Sequence, residues 1–239
     1  MDLHLLPTLT GGAAENMALD FLLLQRYPDE AAARFRHYGW RGPAFTFGYS
    51  QKIAFIRTQL PDGPIDLCRR ATGGGLVDHR DDWTYTLVIP RGHPLEAERA
   101  SLSYRVVHDC MAQALVVQGV PAELQVRPPE PVAEADPVLA LGVCFQRAEV
   151  HDIVNALTGE KIAGAAQKRN KRGLLLQGSL WRPSVGPAVD WEKFQEDFSS
   201  KLAAALAAVP TPTPWPELDE DEIGALTERY ASAEWVEQR

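Results

Sequence analysis

The order of predicted strands and helices is the feature that most limits the fold of this chain. Apolar residues at helical spacing predict helices over 13–27 and 101–118. Runs rich in apolar, β-branched and aromatic residues predict strands over 83–89 and 174–181. These elements follow one another without the regular strand–helix–strand rhythm of a parallel sheet. The sequence therefore predicts an α+β fold, with mixed or antiparallel sheets flanked by helices.

Local signals organise the remaining chain as one domain over residues 1–239. Thr158-Gly159 lies between two strand-like segments and predicts a hairpin. Asp190 is placed to cap a helix, and Pro210 to Pro216 predict a stiff connection. The proline-rich segment 127–137 predicts an extended loop, and whether it acts as a lid stays open.

Composition excludes several classes of protein. The chain of 239 residues has a formal net charge of −8, which disfavours general nucleic-acid binding. No apolar run of about 18 residues is present, so no membrane span is expected. The N-terminus lacks the features of a secretory signal, so we expect a cytoplasmic protein. Cys68, Cys110 and Cys144 form an odd set without CxxC spacing, so we expect neither disulfides nor a metal site.

The strongest local motif runs from Arg69 to His79 and contains the consecutive glycines Gly73, Gly74 and Gly75. Such glycines let the backbone approach a ligand closely and leave N–H groups for anionic oxygens. Two adjacent arginines add permanent charge and paired donors. No lysine follows the glycines, so the motif is not a nucleotide phosphate loop. A glycine-rich turn with solvated arginines is an equal alternative from composition alone.

Two shorter motifs follow along the chain. Lys161 precedes a run of small residues that ends at Gln167, where a ligand could pack against the backbone. Taken by itself, a surface lysine at a strand end is the simpler interpretation. Gln177, Gly178 and Ser179 interrupt an apolar strand, and their polar groups need partners that a ligand could supply. The simpler interpretation there is a β-bulge at Gly178.

In their order and spacing, these motifs resemble those of the superfamily of lipoate–protein ligases and octanoyltransferases. That superfamily shares its catalytic fold with biotin–protein ligases, so the resemblance implies a fold of that type. The match is nearly full length and also includes the segments Glu15 to Asp20, Phe47 to Gln51, Asp82 to Leu87, Ser103 to Arg105 and Tyr230 to Trp235.

The resemblance implies roles for particular residues. It assigns Lys161 to the carbonyl or adenylate oxygens, where a cation stabilises the negative charge that develops during acyl transfer. It also implies a set of substrate-binding residues around the acyl chain and its activated carbonyl. The set comprises Arg69, Arg70, Thr72, Gly73, Gly74, Gly75, His79, Gly164, Ala165, Gln177, Gly178 and Ser179.

Cys144 lies in a Cys-Phe pair that resembles the motif of the cysteine-dependent octanoyl- and amidotransferase branch. The resemblance implies that Cys144 holds the acyl group as a thioester between donor and acceptor. A nearby lysine would lower the pKa of that thiol. Gln146 to Glu149 depart from the Pro-Ser and aromatic-acid pattern of this branch, and Val150 to Ile153 resemble the Asn-Asp-Ile/Leu motif of ligases. In a ligase, Cys144 would be a buried core residue.

The expected activity is transfer of an octanoyl or lipoyl group to a specific lysine of a lipoyl carrier protein through Cys144, without a cofactor. The alternatives are an ATP-dependent lipoate–protein ligase, which would need ATP and Mg, and a non-catalytic acyl-binding paralogue. The expected donor is an acyl carrier protein or another acylated carrier. The expected acceptor is a lipoyl domain or the glycine-cleavage H protein.

A basic cluster comprises Lys168, Arg169, Lys171 and Arg172 on an otherwise acidic chain. The partner proteins of this superfamily are typically acidic. We therefore expect the cluster to help dock them. A solvated loop is the alternative interpretation.

Overall fold

The computed structural model describes residues 1–128 and 147–238. Its helices are α1 (Ala13–Gln25), α2 (Ile53–Arg57), α3 (Pro94–Ala97), α4 (Ala100–Val117), α5 (Trp191–Ala205), α6 (Glu220–Ala231) and α7 (Ala233–Val236). Its strands are β1 (Asp2–Leu5), β2 (Leu9–Gly11), β3 (Ala33–Trp40), β4 (Ala44–Phe47), β5 (Asp66–Arg69), β6 (Leu76–Asp78), β7 (Asp82–Pro90), β8 (Ala122–Leu124), β9 (Ile153–Asn155), β10 (Lys161–Asn170), β11 (Gly173–Trp181) and β12 (Val209–Pro212). Among the described residues, no helix is both long and apolar enough to cross a membrane.

The strands form one large sheet and one small sheet. The nine-stranded sheet has the order β12-β1-β3-β7-β11-β10-β9-β8, with β2 paired to β3. Its pairs are parallel from β12 to β3 and antiparallel from β3 through β7 to β8. The three-stranded sheet has the order β5-β4-β6. The predicted α+β fold with mixed sheets and flanking helices is confirmed.

Helices cover both faces of the large sheet, which is why every residue of β7 is buried. Leu87 and Leu176 point to the face where they pack in one cluster with Phe198 of α5 and with α4. Val88 follows Leu87 in β7, and Leu175 precedes Leu176 in β11. Both pack with Leu23 and Leu24 of α1 on the opposite face of the sheet. The alternation follows from the two-residue repeat of a strand.

Several local predictions are confirmed. The hairpin around Thr158-Gly159 joins β9 to β10, and the strand predicted over 83–89 lies within β7. The side chain of Asp190 caps α5, where it accepts hydrogen bonds from the backbone N–H groups of the first turn. The predicted loop over 127–137 lies almost wholly outside the described residues.

The segment after Ala208 differs from the prediction. A stiff connection was expected from Pro210 to Pro216, but Val209–Pro212 forms β12, which pairs in parallel with β1. Prolines are tolerated there because β12 is the edge strand of the sheet and only one of its sides is paired.

Candidate active site

A pocket lies between the small sheet and the middle of the β10–β11 hairpin. Its empty volume, including the part open to solvent, is about 460 Å³. α1, both sheets and the loop between β5 and β6 all contribute to its wall. The lining residues are Met17, Tyr38, Thr46, Arg70, Gly74, Val77, His79, Thr84, Lys161, Gly164, Ala165, Ala166, Gln177, Gly178 and Ser179.

Glycines bring the backbone close together around this pocket. Gly74 has a φ of +88°, a conformation that L-residues rarely adopt. A Cβ on Gly48 would overlap the backbone of Gly73 and Gly74, so strand β4 and the glycine loop need glycine where they meet. A Cβ on Gly178 would overlap the ring of Tyr85. Gly178 stays in register with both neighbouring strands, so the β-bulge interpretation is wrong.

Lys161 is the first residue of β10, and its side chain is only 5% exposed. Its Nζ lies 2.6 Å from Oδ2 of Asp152 and donates a hydrogen bond of 3.3 Å to the carbonyl of Arg147. The interpretation as a surface lysine is therefore wrong. Space for the ammonium group depends on Gly164, because a Cβ there would lie 2.9 Å from Nζ. The pocket thus holds a buried cation with a carboxylate partner, suited to stabilising a developing oxyanion.

Asp152 is held in place by its own backbone neighbours. Its Oδ2 accepts a hydrogen bond of 2.8 Å from the N–H of Glu149. The preceding residue, His151, has a φ of +74° and donates its backbone N–H to the carbonyl of Gln125. This turn directs the Asp152 carboxylate towards Lys161. Among the described residues, no cluster of three or more His, Cys, Asp or Glu side chains is suited to a metal ion.

A buried polar chain runs along the other wall of the pocket. His79 Nδ1 lies 2.7 Å from Oδ2 of Asp82, and His79 Nε2 lies 2.7 Å from Oγ1 of Thr46. Arg70 donates to the same Thr46 oxygen at 2.7 Å. Trp40 stacks on the imidazole at 4.0 Å between ring centroids. These contacts fix the position and the orientation of the imidazole.

Asp82 gathers three side-chain donors. Besides His79, it accepts hydrogen bonds from Thr84 at 2.7 Å and from Ser179. Burial acts to raise the pKa of Asp82, but the charge of His79 and the three hydrogen bonds lower that pKa more strongly. The net direction is downward, so Asp82 is a carboxylate at neutral pH and fixes the orientation of His79.

The glycine loop is held by two polar side chains. Arg70 donates from Nη2 to the carbonyls of Gly73 at 2.9 Å and Gly75 at 3.0 Å. Thr72 donates from its hydroxyl to Oε1 of Gln177 at 2.7 Å. The loop is therefore tied to the small sheet through Arg70 and to the large sheet through Gln177.

Gln177 is in turn oriented by a fully buried ion pair. Its Nε2 donates to Oδ2 of Asp20 at 2.6 Å. Asp20 pairs with Arg36, whose Nη2 lies 2.6 Å from Oδ1, and both side chains are 0% exposed. Tyr38 donates to the same carboxylate at 3.1 Å. The network joins α1, β3 and β11 behind the pocket wall.

The comparisons with known proteins agree with this architecture. The family model of the lipoyl protein ligase A/B catalytic domain matches residues 12–183. The chain belongs to this family. It is also similar to several curated proteins named Octanoyltransferase LipM. The protein from Exiguobacterium sp. is 30% identical over 99% of this chain and 98% of its own length. The protein from Macrococcus caseolyticus is 27% identical over 94% of each chain.

Solved structures show that the fold is shared with other members of the family. A crystal structure of lipoate-protein ligase A bound with ATP has a TM-score of 0.73 at 19% identity and covers 99% of each chain. A bi-partite lipoate protein ligase from Thermoplasma acidophilum has a TM-score of 0.72 at 17% identity, over 100% of this chain and 98% of that one. The predicted superfamily and its fold are confirmed.

The structure brings most of the predicted substrate-binding residues into one pocket. Arg70, Gly74, His79, Gly164, Ala165, Gln177, Gly178 and Ser179 line it together with Lys161. Thr72, Gly73 and Gly75 lie just behind, through their bonds to Gln177 and Arg70.

Arg69 lies elsewhere. Its guanidinium donates to the carbonyls of Tyr49 and Gln51 and to those of Trp235 and Val236 near the C-terminus. The backbone carbonyl of Arg69 accepts from Trp235 Nε1 at 2.8 Å. In the described structure, Arg69 fastens the final helix to β5 and does not line the pocket.

The basic cluster does not form one surface. Lys168 extends over the ring of Tyr49, with Nζ 5.8 Å from the ring centroid. Arg169 donates to the backbone carbonyls of Glu96, in the last turn of α3, and of Glu98, between α3 and α4. Lys171 and Arg172 form the tip of the β10–β11 hairpin and line a different cavity. The four basic side chains therefore lie in three separate parts of the surface.

The predicted nucleophile, Cys144, lies outside the described residues. The other two cysteines are buried, as expected for core residues. Burial raises the pKa of the Cys68 thiol well above its usual range and that of Cys110 to about 11. Neither thiol is ionised at neutral pH, so neither offers a thiolate nucleophile.

Sequence reasoning did not assign roles to Asp152, Thr46 or Asp82. Asp152 lay in a segment compared only with a ligase motif. Thr46 had no signal of its own, because only the pairing of β4 with β6 brings it to His79. Asp82 lies three residues after His79 in a segment matched to the superfamily, but that match assigned it no role.

Proposed function

We propose that the protein is an octanoyltransferase. It moves an octanoyl group from an acyl carrier protein to a specific lysine of a lipoyl domain or a related carrier such as the glycine-cleavage H protein. Cys144 holds the acyl group as a thioester between the two partners. The observation that carries the proposal is the buried Lys161 ammonium in the wall of a largely apolar pocket, in a chain similar along its length to proteins named Octanoyltransferase LipM.

The pocket wall suits an aliphatic chain. Met17, Val77, Ala165 and Ala166 contribute apolar surface between the two sheets. Burial of roughly seven methylene or methyl groups at about 0.8 kcal/mol each would contribute about 5–6 kcal/mol to binding. The polar groups of the pocket, at Lys161 and along the His79 wall, would then orient the carbonyl end.

The chemistry follows two acyl-transfer steps. The Cys144 thiolate attacks the carbonyl carbon of the donor thioester, and the carbonyl oxygen becomes an oxyanion. Lys161 stabilises that oxyanion, the carbon–sulfur bond to the donor breaks, and the donor thiolate leaves and takes up a proton. The neutral amine of the acceptor lysine then attacks the acyl-Cys144 carbonyl. The amine loses a proton, the Cys144 thiolate is released, and an amide bond remains.

The position of Cys144 in the sequence supports its proposed role. Lys161 donates a hydrogen bond to the carbonyl of Arg147, which is three residues after Cys144. The thiol is therefore attached to the same stretch of chain that contacts the ammonium group. A cation at short range lowers the pKa of a thiol and increases its nucleophilic fraction.

Partner docking is proposed for Lys168 rather than for the whole basic cluster. Lys168 is the member of the cluster closest to the pocket in the strand, two residues beyond the lining residue Ala166. Reversal of its charge in Lys168→Glu should lower the association rate with an acidic carrier and reduce its salt dependence. Reaction with a small octanoyl thioester should be unchanged. Unchanged rates with the protein substrate would count against this role.

A transfer assay tests the proposed activity. The protein is incubated with octanoyl-acyl carrier protein and a lipoyl domain without ATP, and the mass of the lipoyl domain is followed. Addition of one octanoyl group by the wild type and not by Cys144→Ala is the expected result. Modification that requires ATP, Mg and free lipoate would instead identify a ligase that acts through an acyl-adenylate. No modification under either condition would favour the non-catalytic acyl-binding alternative.

A further inference from the structure

A second cavity lies at the tip of the β10–β11 hairpin, where the hairpin meets the C-terminal end of α1. It shares no lining residue with the pocket that contains Lys161, for which we propose acyl binding. Its empty volume is about 710 Å³, and it is open to solvent. The lining residues are Leu24, Gln25, Tyr27, Glu30, Ala31, Arg34, Arg91, Lys171 and Arg172.

The wall of this cavity is strongly cationic. Arg34, Arg91, Lys171 and Arg172 bring four positive charges to it, and Glu30 brings one negative charge. Glu30 is already paired with Arg172. This excess of positive charge lies in a chain whose formal net charge is −8. A concave site with this charge favours an anion.

Arg34 is the buried member of the group, at 3% exposure. Its Nη2 donates to the carbonyl of Asp29 at 2.8 Å, and its guanidinium lies 4.6 Å from the ring centroid of Tyr27. Within the described residues, its Nε and Nη1 make no hydrogen bond, and it has no carboxylate within ion-pair distance. Burial lowers the pKa of Arg34 to about 10. Arg34 lines the cavity, and a buried cation without a carboxylate partner is stabilised by an anion close to it.

The backbone holds the other cations beside Arg34. Gly173 has a φ of +143°, and a Cβ there would overlap the carbonyl of Ile89, so glycine permits the close approach of β11 to the end of β7. Arg91 then donates from its backbone N–H to the carbonyl of Arg172 at 3.2 Å and from Nη1 to that of Lys171 at 3.3 Å. The pairing of the strands therefore holds the backbones of Arg91, Lys171 and Arg172 close together, so the cluster does not depend only on flexible side chains.

We propose that this basic pocket, defined by Arg34, Arg91, Lys171 and Arg172, binds the phosphate group of a small phosphorylated molecule. A phosphate dianion offers several acceptor oxygens and two charges, which match paired guanidinium donors. A single carboxylate from a protein partner would leave most of the positive charge unbalanced. The proposal does not depend on the acyl-transfer activity, because the two pockets have separate walls.

Titration with inorganic phosphate tests the proposal. Binding is measured by calorimetry and by thermal unfolding, with sodium chloride used to keep the ionic strength constant. The wild type should show saturable binding and a melting temperature that rises with phosphate concentration. The double variant Arg91→Ala/Lys171→Ala should raise the Kd at least about 10-fold, because two charge-assisted contacts are lost. Both positions are exposed, so the fold should be retained.

Lys193→Ala is the matched control, since Lys193 is an exposed cation on α5 outside the basic pocket. It should bind phosphate as the wild type does. Arg34→Gln should abolish binding if the variant folds, and the double variant decides the question if it does not. A Kd that the double variant leaves unchanged, or a response to phosphate that does not saturate in the wild type, would overturn the proposal.

Discussion

The buried Asp20–Arg36 pair gives the sharpest prediction about stability. Both side chains are 0% exposed, and the Asp20 carboxylate accepts from Arg36, Tyr38 and Gln177. Asp20→Ala leaves the Arg36 charge buried and deprives it of its carboxylate partner. Removal of one partner of a buried ion pair costs about 3–5 kcal/mol. Because a domain is stable by only about 5–15 kcal/mol, the variant should lose a large part of its free energy of unfolding.

Urea unfolding followed by tryptophan fluorescence measures this loss. The matched control is Asp197→Ala, which removes an aspartate from the more exposed Lys193–Asp197 pair on α5. That pair joins atoms 3.4 Å apart, and its loss should cost less than about 1 kcal/mol. The denaturant slope should be unchanged in both variants if the compactness of the two states is unchanged. A loss of 1 kcal/mol or less in Asp20→Ala would refute the reasoning about the buried network.

Three further predictions concern the pocket. Lys161→Ala should lower kcat by about 100-fold with little change in KM, since Lys161 is expected to act on charge that develops in the transition state; steady-state kinetics measures this, and an unaltered kcat would exclude the role. Gly178→Ala should destabilise the protein by about 1–3 kcal/mol, because the new methyl group overlaps Tyr85; a melting temperature equal to that of the wild type would contradict it. The lowered pKa of Asp82 stabilises the folded state above the unfolded pKa of about 3.9, and this stability is lost as the pH falls through the folded pKa. The stability difference between the wild type and Asp82→Asn should therefore be steady near neutral pH and shrink below about pH 4, and a difference that grows on acidification would contradict the assignment.

Local sequence patterns were sufficient for elements whose burial is regular. The helix predicted over 101–118 matches α4 (Ala100–Val117), and the strand predicted over 174–181 matches β11 to within one residue. Apolar residues repeat at helical spacing in the first and fill most of the second. A glycine also borders each predicted element, Gly119 after the helix and Gly173 before the strand. β12 was missed because an edge strand with two prolines lacks these signals, and only its pairing with β1 makes it a strand.

The site was predictable where a motif is continuous in sequence and not where the fold assembles it. Lys161 and the glycine loop lie in compact motifs, and both contribute to the pocket. Asp152 reaches Lys161 only through the turn at His151. Arg69 belongs to the same motif as Arg70, yet strand alternation sends its side chain to the C-terminal segment. Neighbours in a motif can therefore have different roles, which sequence alone does not separate.

The central claim is that Cys144 carries the acyl group, and intact-mass analysis tests it most directly. The purified protein is incubated with octanoyl-acyl carrier protein in the absence of ATP and acceptor. The account predicts one added octanoyl mass that hydroxylamine removes and that Cys144→Ala lacks, with Cys68→Ala as the matched control that keeps it. A wild-type protein that modifies lipoyl domains but never gains this mass, or an adduct that persists in Cys144→Ala, would contradict the account.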